Sequence, residues 1–214
     1  MDATADRLML VLIVSDLALL GARRLGRAIG VAALQGVLVG LLALAAHNGP
    51  LTGRTLLLAV LGIGLRGVLF PILLRFVARR AGGDHELEPY VGYGPSLLLG
   101  IAMLGGAMAL GARLQLPATG LPALLVTASV FTMLTGVFLV VARRKALTQC
   151  LGYVVLENGI YGFGVATVAE VPALVELGAL LDLFLAVLVM GVAVYRITAE
   201  FDHMDTDQLD ALRG

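Results

Sequence analysis

Thr148-Gln149-Cys150-Leu151-Gly152-Tyr153-Val154-Val155-Leu156-Glu157-Asn158-Gly159-Ile160-Tyr161 reads as successive turns of a mostly apolar helix with a carboxylate in it. Lipid offers backbone groups no hydrogen bonds, so a run like this crosses a bilayer as a helix. A charge at the centre of such a helix costs roughly 2.5–3.5 kcal/mol on insertion scales, so Glu157 needs a reason to be there. A second run, Leu174-Val175-Glu176-Leu177-Gly178-Ala179-Leu180-Leu181-Asp182-Leu183, adds Glu176 and Asp182. These three carboxylates are the candidate proton-relay sites.

The remainder of the chain has the same character. Of 214 residues, 59% are hydrophobic and 14% charged, against about 45–50% and 25% in soluble domains. Seven segments meet or approach the about 20 apolar residues that a spanning helix requires: 6–22, 28–46, 55–78, 95–111, 121–142, 146–168 and 173–195. Between them lie the breakers Asn48-Gly49-Pro50, Gly82-Gly83-Asp84, Gly92-Tyr93-Gly94-Pro95, Pro117 and Pro172. The expected fold is an all-α integral membrane protein, a bundle of seven transmembrane helices forming one membrane domain over residues 1–214. The first segment reads as a retained helix, since no basic flank precedes it and no small-residue cleavage site follows it.

Basic residues set the expected orientation. The 1–2, 3–4 and 5–6 connections and the tail hold Arg23, Arg24, Arg27, Arg75, Arg79, Arg80, Arg143, Arg144, Lys145, Arg196 and Arg213, against Arg7, Arg54 and Arg113 on the other side. The bias places the N-terminus outside and the C-terminus in the cytoplasm. The acidic tail, 196–214, carries Leu209 and Leu212 at helical spacing. It is either a solvated end or a docking helix for a cytoplasmic partner, with Asp205 or Thr206 as its cap.

Several function classes are excluded or disfavoured. Net charge is zero, so nothing favours nucleic acid. A single cysteine, Cys150, forbids an internal disulfide or a four-thiolate cluster, and His47, His85 and His203 fall in polar connections or the tail. No nucleophile motif, phosphate loop or metal-ligand cluster is present, so no catalytic centre and no cofactor are expected in this chain.

Five ionisable residues lie well inside the segments: Asp16, Arg66, Glu157, Glu176 and Asp182. At 1.5 Å per residue, Glu157 is about 16 Å into the sixth segment, near the midplane. Gln149, Tyr153, Glu157 and Tyr161 recur every four residues and form a polar stripe along one helix face. Such a stripe could line a hydrated path, and a carboxyl in low dielectric can take up and release protons near neutral pH. The alternative is a structural hydrogen-bonding role for Glu157. Arg66 cannot relay protons itself. Its expected role is electrostatic, pairing with Asp16 or another buried carboxylate and tuning proton affinity, or simply forming a structural ion pair. Pro71, five residues on, is expected to kink the third segment. Thr127, Thr132 and Thr135 could extend a polar path.

Gly152-Tyr153-Val154-Val155-Leu156-Glu157-Asn158-Gly159-Ile160 resembles the membrane subunit called hydrogenase-4 component E, of group 4 [NiFe] hydrogenases and related formate hydrogenlyase complexes. Glu176-Leu177-Gly178-Ala179-Leu180-Leu181-Asp182 and the ending Leu209-Asp210-Ala211-Leu212-Arg213-Gly214 add to the likeness. The last three segments, 121–195, are similar to the K-type subunit of complex I and to the C subunit of multi-subunit cation/proton antiporters. Those subunits relay protons through two membrane glutamates. Glu176 matches the second, while Glu157 lies about one turn from the place of the first, on nearly the same face. The resemblance also leads one to expect a lysine near Arg66, and none is present. It implies a subunit without its own redox centre, in a bacterial or archaeal cytoplasmic membrane. The implied partners are antiporter-like membrane subunits and cytoplasmic hydrogenase-type subunits, which hold the [NiFe] and iron–sulfur centres. The translocated ion would be a proton or sodium. Two other readings stay open: a structural scaffold joining antiporter-like subunits to the redox arm, and a stand-alone ion transporter.

Overall fold

The structure, a computed structural model, describes residues 3–45, 53–80, 90–114 and 123–167, together with Gly191. Six long helices follow one another among these residues: α1 (Ala3–Leu20), α2 (Leu25–Ala45), α3 (53–80), α4 (Tyr93–Arg113), α5 (Ala123–Ala142) and α6 (Ala146–Thr167). They correspond to the first six expected segments. The seventh, 173–195, lies outside the described residues except for Gly191, which is helical, and the tail 196–214 lies outside them too.

Leu25–Ala45, Ala59–Arg79, Tyr93–Arg113 and Leu124–Ala142 are each long and apolar enough to cross a membrane. At 1.5 Å per residue each spans about 30 Å, the thickness of a bilayer's hydrocarbon core. The protein is accordingly a multi-pass helical membrane protein. The other two helices differ by their polar side chains: Asp6, Arg7 and Asp16 on α1, and Gln149, Glu157 and Asn158 on α6.

Apolar packing divides into two clusters. One joins Leu19 of α1, Ile29 and Ala32 of α2, Phe70 and Leu74 of α3, Leu139 of α5 and Val154 of α6. The other joins Met9 and Leu12, Val39 and Leu42, Leu125 and Phe131, and Ala166. Along α2 the order is first cluster, Gln35-Gly36, second cluster; along α6 it is first cluster, Glu157-Asn158, second cluster. On α1 and α5 the order is reversed, around Ser15-Asp16 and Thr132-Thr135 respectively, except that Leu20, beside Leu19 at the end of α1, turns to the second cluster. The helices therefore alternate in direction, and their buried polar residues fall at one level between two apolar layers.

Close approach of backbones makes this layer dense. A Cβ on Gly159 of α6 would lie 2.5 Å from Met133 N of α5, and one on Gly152 would lie 2.8 Å from Val140 N. Gly136 of α5 meets the Leu156 backbone in return. Lipid supplies no hydrophobic drive between helices, so contact area at small residues is what binds this pair.

Helix α3 is not a plain α-helix. It consists of Gly53–Gly64, a π turn at Leu65–Leu69, and Phe70–Arg80. Phe70 N–H reaches back five residues to Leu65 O. Pro71 follows at once; it has no N–H to donate, and its ring crowds the carbonyl four residues earlier. The expected kink thus takes the form of a widened turn, a common device of helix irregularity. That turn is seated on α2, where a Cβ on Gly36 would fall 2.8 Å from the Arg66 carbonyl carbon.

The alternation gathers the C-terminal ends of α1, α3 and α5 at one end of the bundle, with their arginines. Here Arg143 is fully buried and donates from Nη2 to Leu20 O at 3.2 Å, a cation at a helix C-terminus. Burial pushes its guanidinium down from the usual range, against an opposing effect of Tyr93. Arg23 and Arg143 both lie over the Tyr93 ring, 5.3 and 5.6 Å from its centroid. The outer faces of α3 and α4 expose Val60, Phe76, Leu98 and Met108. Apolar surface on that scale suits lipid or a membrane-embedded neighbour.

Candidate functional site

The polar layer contains a buried ion pair. Arg66 Nη2 donates to Glu157 Oε1 at 3.3 Å, and the two side chains are 5% and 2% exposed. The π turn aims Arg66 inward from α3 while Gly36 lets its backbone sit against α2. Its Cζ also lies 4.3 Å from the ring centroid of Tyr161, one turn beyond Glu157 on α6. The guanidinium thus touches a carboxylate and an aromatic face at once, and either can hold a cation in a desolvated site.

Asp16 occupies a separate position in the same layer. Its Oδ1 accepts from Gln35 Nε2 at 2.7 Å, and its Oδ2 lies 2.7 Å from Thr132 Oγ1. Gln35 Nε2 also donates to Ser15 Oγ at 2.9 Å. All four side chains are buried, and they come from three helices, α1, α2 and α5. Asn158, adjacent to Glu157, donates from Nδ2 to Ala32 O of α2 at 3.5 Å. Gln35 Oε1, Asn158 Oδ1, Ser129 Oγ and Thr135 Oγ1 are buried and have no hydrogen-bond partner among the described residues. Such atoms are unusual in a protein core and mark a place suited to water.

The structure therefore brings Arg66, Glu157 and Tyr161 together. The sequence offered Arg66 either Asp16 or another buried carboxylate, and among the described residues its ion pair is with Glu157. The four-residue stripe on α6 divides. Gln149 turns its amide to Arg143 O at 3.1 Å, at the basic end, while Tyr153 packs half-buried against the first apolar cluster within electrostatic reach of Glu157. Thr132 joins Asp16. Glu176 and Asp182 lie outside the described residues, as do His47, His85 and His203. Ser15, Gln35, Asn158 and Ser129 were not singled out in the sequence. A lone amide such as Gln35 in an apolar run was the available signal, because it too is costly to bury without partners. Among the described residues, no group of three or more His, Cys, Asp and Glu could hold a metal ion.

No family model and no solved structure matches the chain. Known proteins do. It is 34% identical over 152 residues to the uncharacterized protein Rv0085 of Mycobacterium tuberculosis, covering 71% of this chain and 69% of that one. It is 30% identical over 154 residues to hydrogenase-4 component E of Escherichia coli K12, covering 69% of this chain and 68% of that subunit. The component E of Shigella flexneri matches to the same extent. The motif around Glu157 had suggested the same relationship, and over more than two thirds of its length the chain belongs to the hydrogenase-4 component E family.

Proposed function

We propose that this protein is a membrane subunit of a hydrogenase-like complex, without a redox centre of its own, in which Glu157 takes up and releases protons that couple electron transfer to ion movement. The observation that carries this reading is the buried contact of Arg66 with both Glu157 and Tyr161. A relay site needs two states of similar free energy. While Glu157 is ionised, the guanidinium holds it at 3.3 Å. When Glu157 accepts a proton, the Tyr161 face at 4.3 Å remains to hold the cation. Arg66 keeps its charge throughout and so biases Glu157 without competing for the proton.

In this reading Glu176 and Asp182 continue the relay beyond Glu157. The partners are antiporter-like membrane subunits and cytoplasmic hydrogenase-type subunits, and the latter hold the [NiFe] and iron–sulfur centres. The arginine-rich end of the bundle faces the cytoplasm of a bacterial or archaeal cell. The family membership and the spanning helices support the setting, and the polar layer supports the chemistry.

One observation favours a second reading. An ion pair between α3 and α6 could serve only to fix helix packing, which would make the chain a scaffold joining other subunits. Glu157→Gln separates the two. The relay reading expects an assembled complex that oxidises its electron donor but no longer moves protons into inverted vesicles. Proton movement at the normal rate in that assembled variant would refute it. Loss of assembly would favour the scaffold.

A further inference from the structure

Asp16 is the carboxyl for which the ion pair gives no account. It is wholly buried on α1. Among the described residues, the elements packed on α1 are α2, α4 and α5, and their own ionisable side chains lie near their ends: Arg27 on α2, Tyr93 and Arg113 on α4, and Arg143 just past α5. On α1 itself Asp6 and Arg7 are more than two turns away. Arg66, the one guanidinium in the polar layer among the described residues, is bonded to Glu157. Among the described residues, the side chains within hydrogen-bond reach of the Asp16 carboxyl are an amide and a hydroxyl, both neutral.

The hydrogens of this cluster can be assigned one by one. Gln35 Nε2 has two, and it has two acceptors, Asp16 Oδ1 and Ser15 Oγ. Ser15 Oγ has one, and Leu12 O lies 2.6 Å away to take it. Thr132 Oγ1 also has one, but two oxygens are in reach: Ala128 O at 2.9 Å and Asp16 Oδ2 at 2.7 Å. A hydroxyl can donate only once, though it can accept as well. If Thr132 donates to its own helix at Ala128, as buried threonines commonly do, the 2.7 Å contact needs a hydrogen from Asp16. A protonated Asp16 supplies it. Every donor then has one acceptor, and no uncompensated charge is buried.

We infer that Asp16, cradled by Gln35, Ser15 and Thr132, is a proton-binding site that holds a neutral carboxylic acid at neutral pH. The assignment rests on the cradle alone and not on the relay at Glu157. It replaces the tuning role that the sequence offered for Asp16 with direct carriage of a proton. The polar layer then contains two carboxyls in opposite states, one bare beside a guanidinium and one loaded among neutral groups. Environments that separate two acids in this way are how proteins divide donor from acceptor roles.

The test is infrared difference spectroscopy at neutral pH on the purified full chain and its variants. In the unaltered protein a C=O stretch of a protonated carboxyl should be present. It should disappear in Asp16→Asn and persist in Glu157→Gln. Asparagine can reproduce both contacts, accepting from Gln35 and donating to Thr132, so Asp16→Asn should fold with an unchanged melting temperature. Thr132→Val removes the acceptor of the acid hydrogen and should shift the band to higher wavenumber, while Thr132→Ser should leave it in place. A spectrum in which Asp16→Asn removes a carboxylate band instead, or leaves the acid band untouched, overturns the assignment. So does failure of Asp16→Asn to fold, because an isostere of the neutral acid should be tolerated. None of these outcomes depends on whether Glu157 moves protons.

Discussion

Replacing Arg66 by Met, Glu157 by Leu, and both together asks what the ion pair contributes and which partner depends on it. At 3.3 Å and an effective dielectric constant of ~20, the Coulomb attraction is about 5 kcal/mol. Most of this is offset by the desolvation of both groups, so the pair's net value is small while the cost of breaking it is about 3–5 kcal/mol. The two single variants should differ. Glu157 left alone by Arg66→Met can take up a proton and become neutral. Arg66 deprived of Glu157 by Glu157→Leu has no such escape, and its contact with Tyr161 is worth about 2 kcal/mol when desolvated. Glu157→Leu is therefore expected to be the more destabilising single change, and the double variant should be milder than either single or close to it. For a chain of this size, ~3–5 kcal/mol corresponds to a fall of about 6–20 °C in Tm. Cys150 offers the assay. It is the single cysteine, free and 2% exposed, so a thiol-reactive fluorophore reports unfolding of the purified chain directly. Costs that simply add in the double variant would refute the reasoning, since they would mean the two side chains do not interact. A larger fall for Arg66→Met than for Glu157→Leu would refute the asymmetry.

Two further outcomes follow from backbone geometry. Gly159→Val places a Cβ 2.5 Å from Met133 N, where only backbone could yield, so it should cost at least the about 1–3 kcal/mol typical of overpacking; the yield of folded protein in membranes checks this. Deleting Val68, which is 52% exposed, removes the extra residue of the π turn and should turn the preceding part of α3 by about 100°. Arg66 would then leave Glu157, and the deletion should share the Tm of Arg66→Met rather than that of the unaltered chain.

Much of the fold was legible because lipid imposes a simple rule. A segment that cannot satisfy its backbone internally cannot cross, so every long apolar run had to be a helix. The runs at 28–46, 55–78 and 121–142 anticipate α2, α3 and α5 to within a few residues. The cost of a buried charge likewise marked Asp16, Arg66 and Glu157 as residues that need buried polar partners, and each has them. Choice of partner was another matter. Sequence spacing relates residues on one helix, as it did for Glu157 and Tyr161, but it is silent about which faces of different helices meet. The π turn shows this well: Pro71 signalled an irregularity, yet the rotation it gives Arg66 depends on the Gly36 backbone of another helix.

Composition and periodicity by themselves thus determined that this is a helical membrane protein carrying carboxylates where lipid disfavours them, because transfer free energy is a property of each residue. Only the tertiary structure decided that Arg66 belongs to Glu157, that Gln149 serves the Arg143 turn, and that Asp16 sits among an amide and hydroxyls. The Arg66–Glu157 and Asp16–Thr132 pairings span 91 and 116 residues of chain. They are set by which glycines allow which helices to touch, and contact between distant segments exists only once the chain is folded.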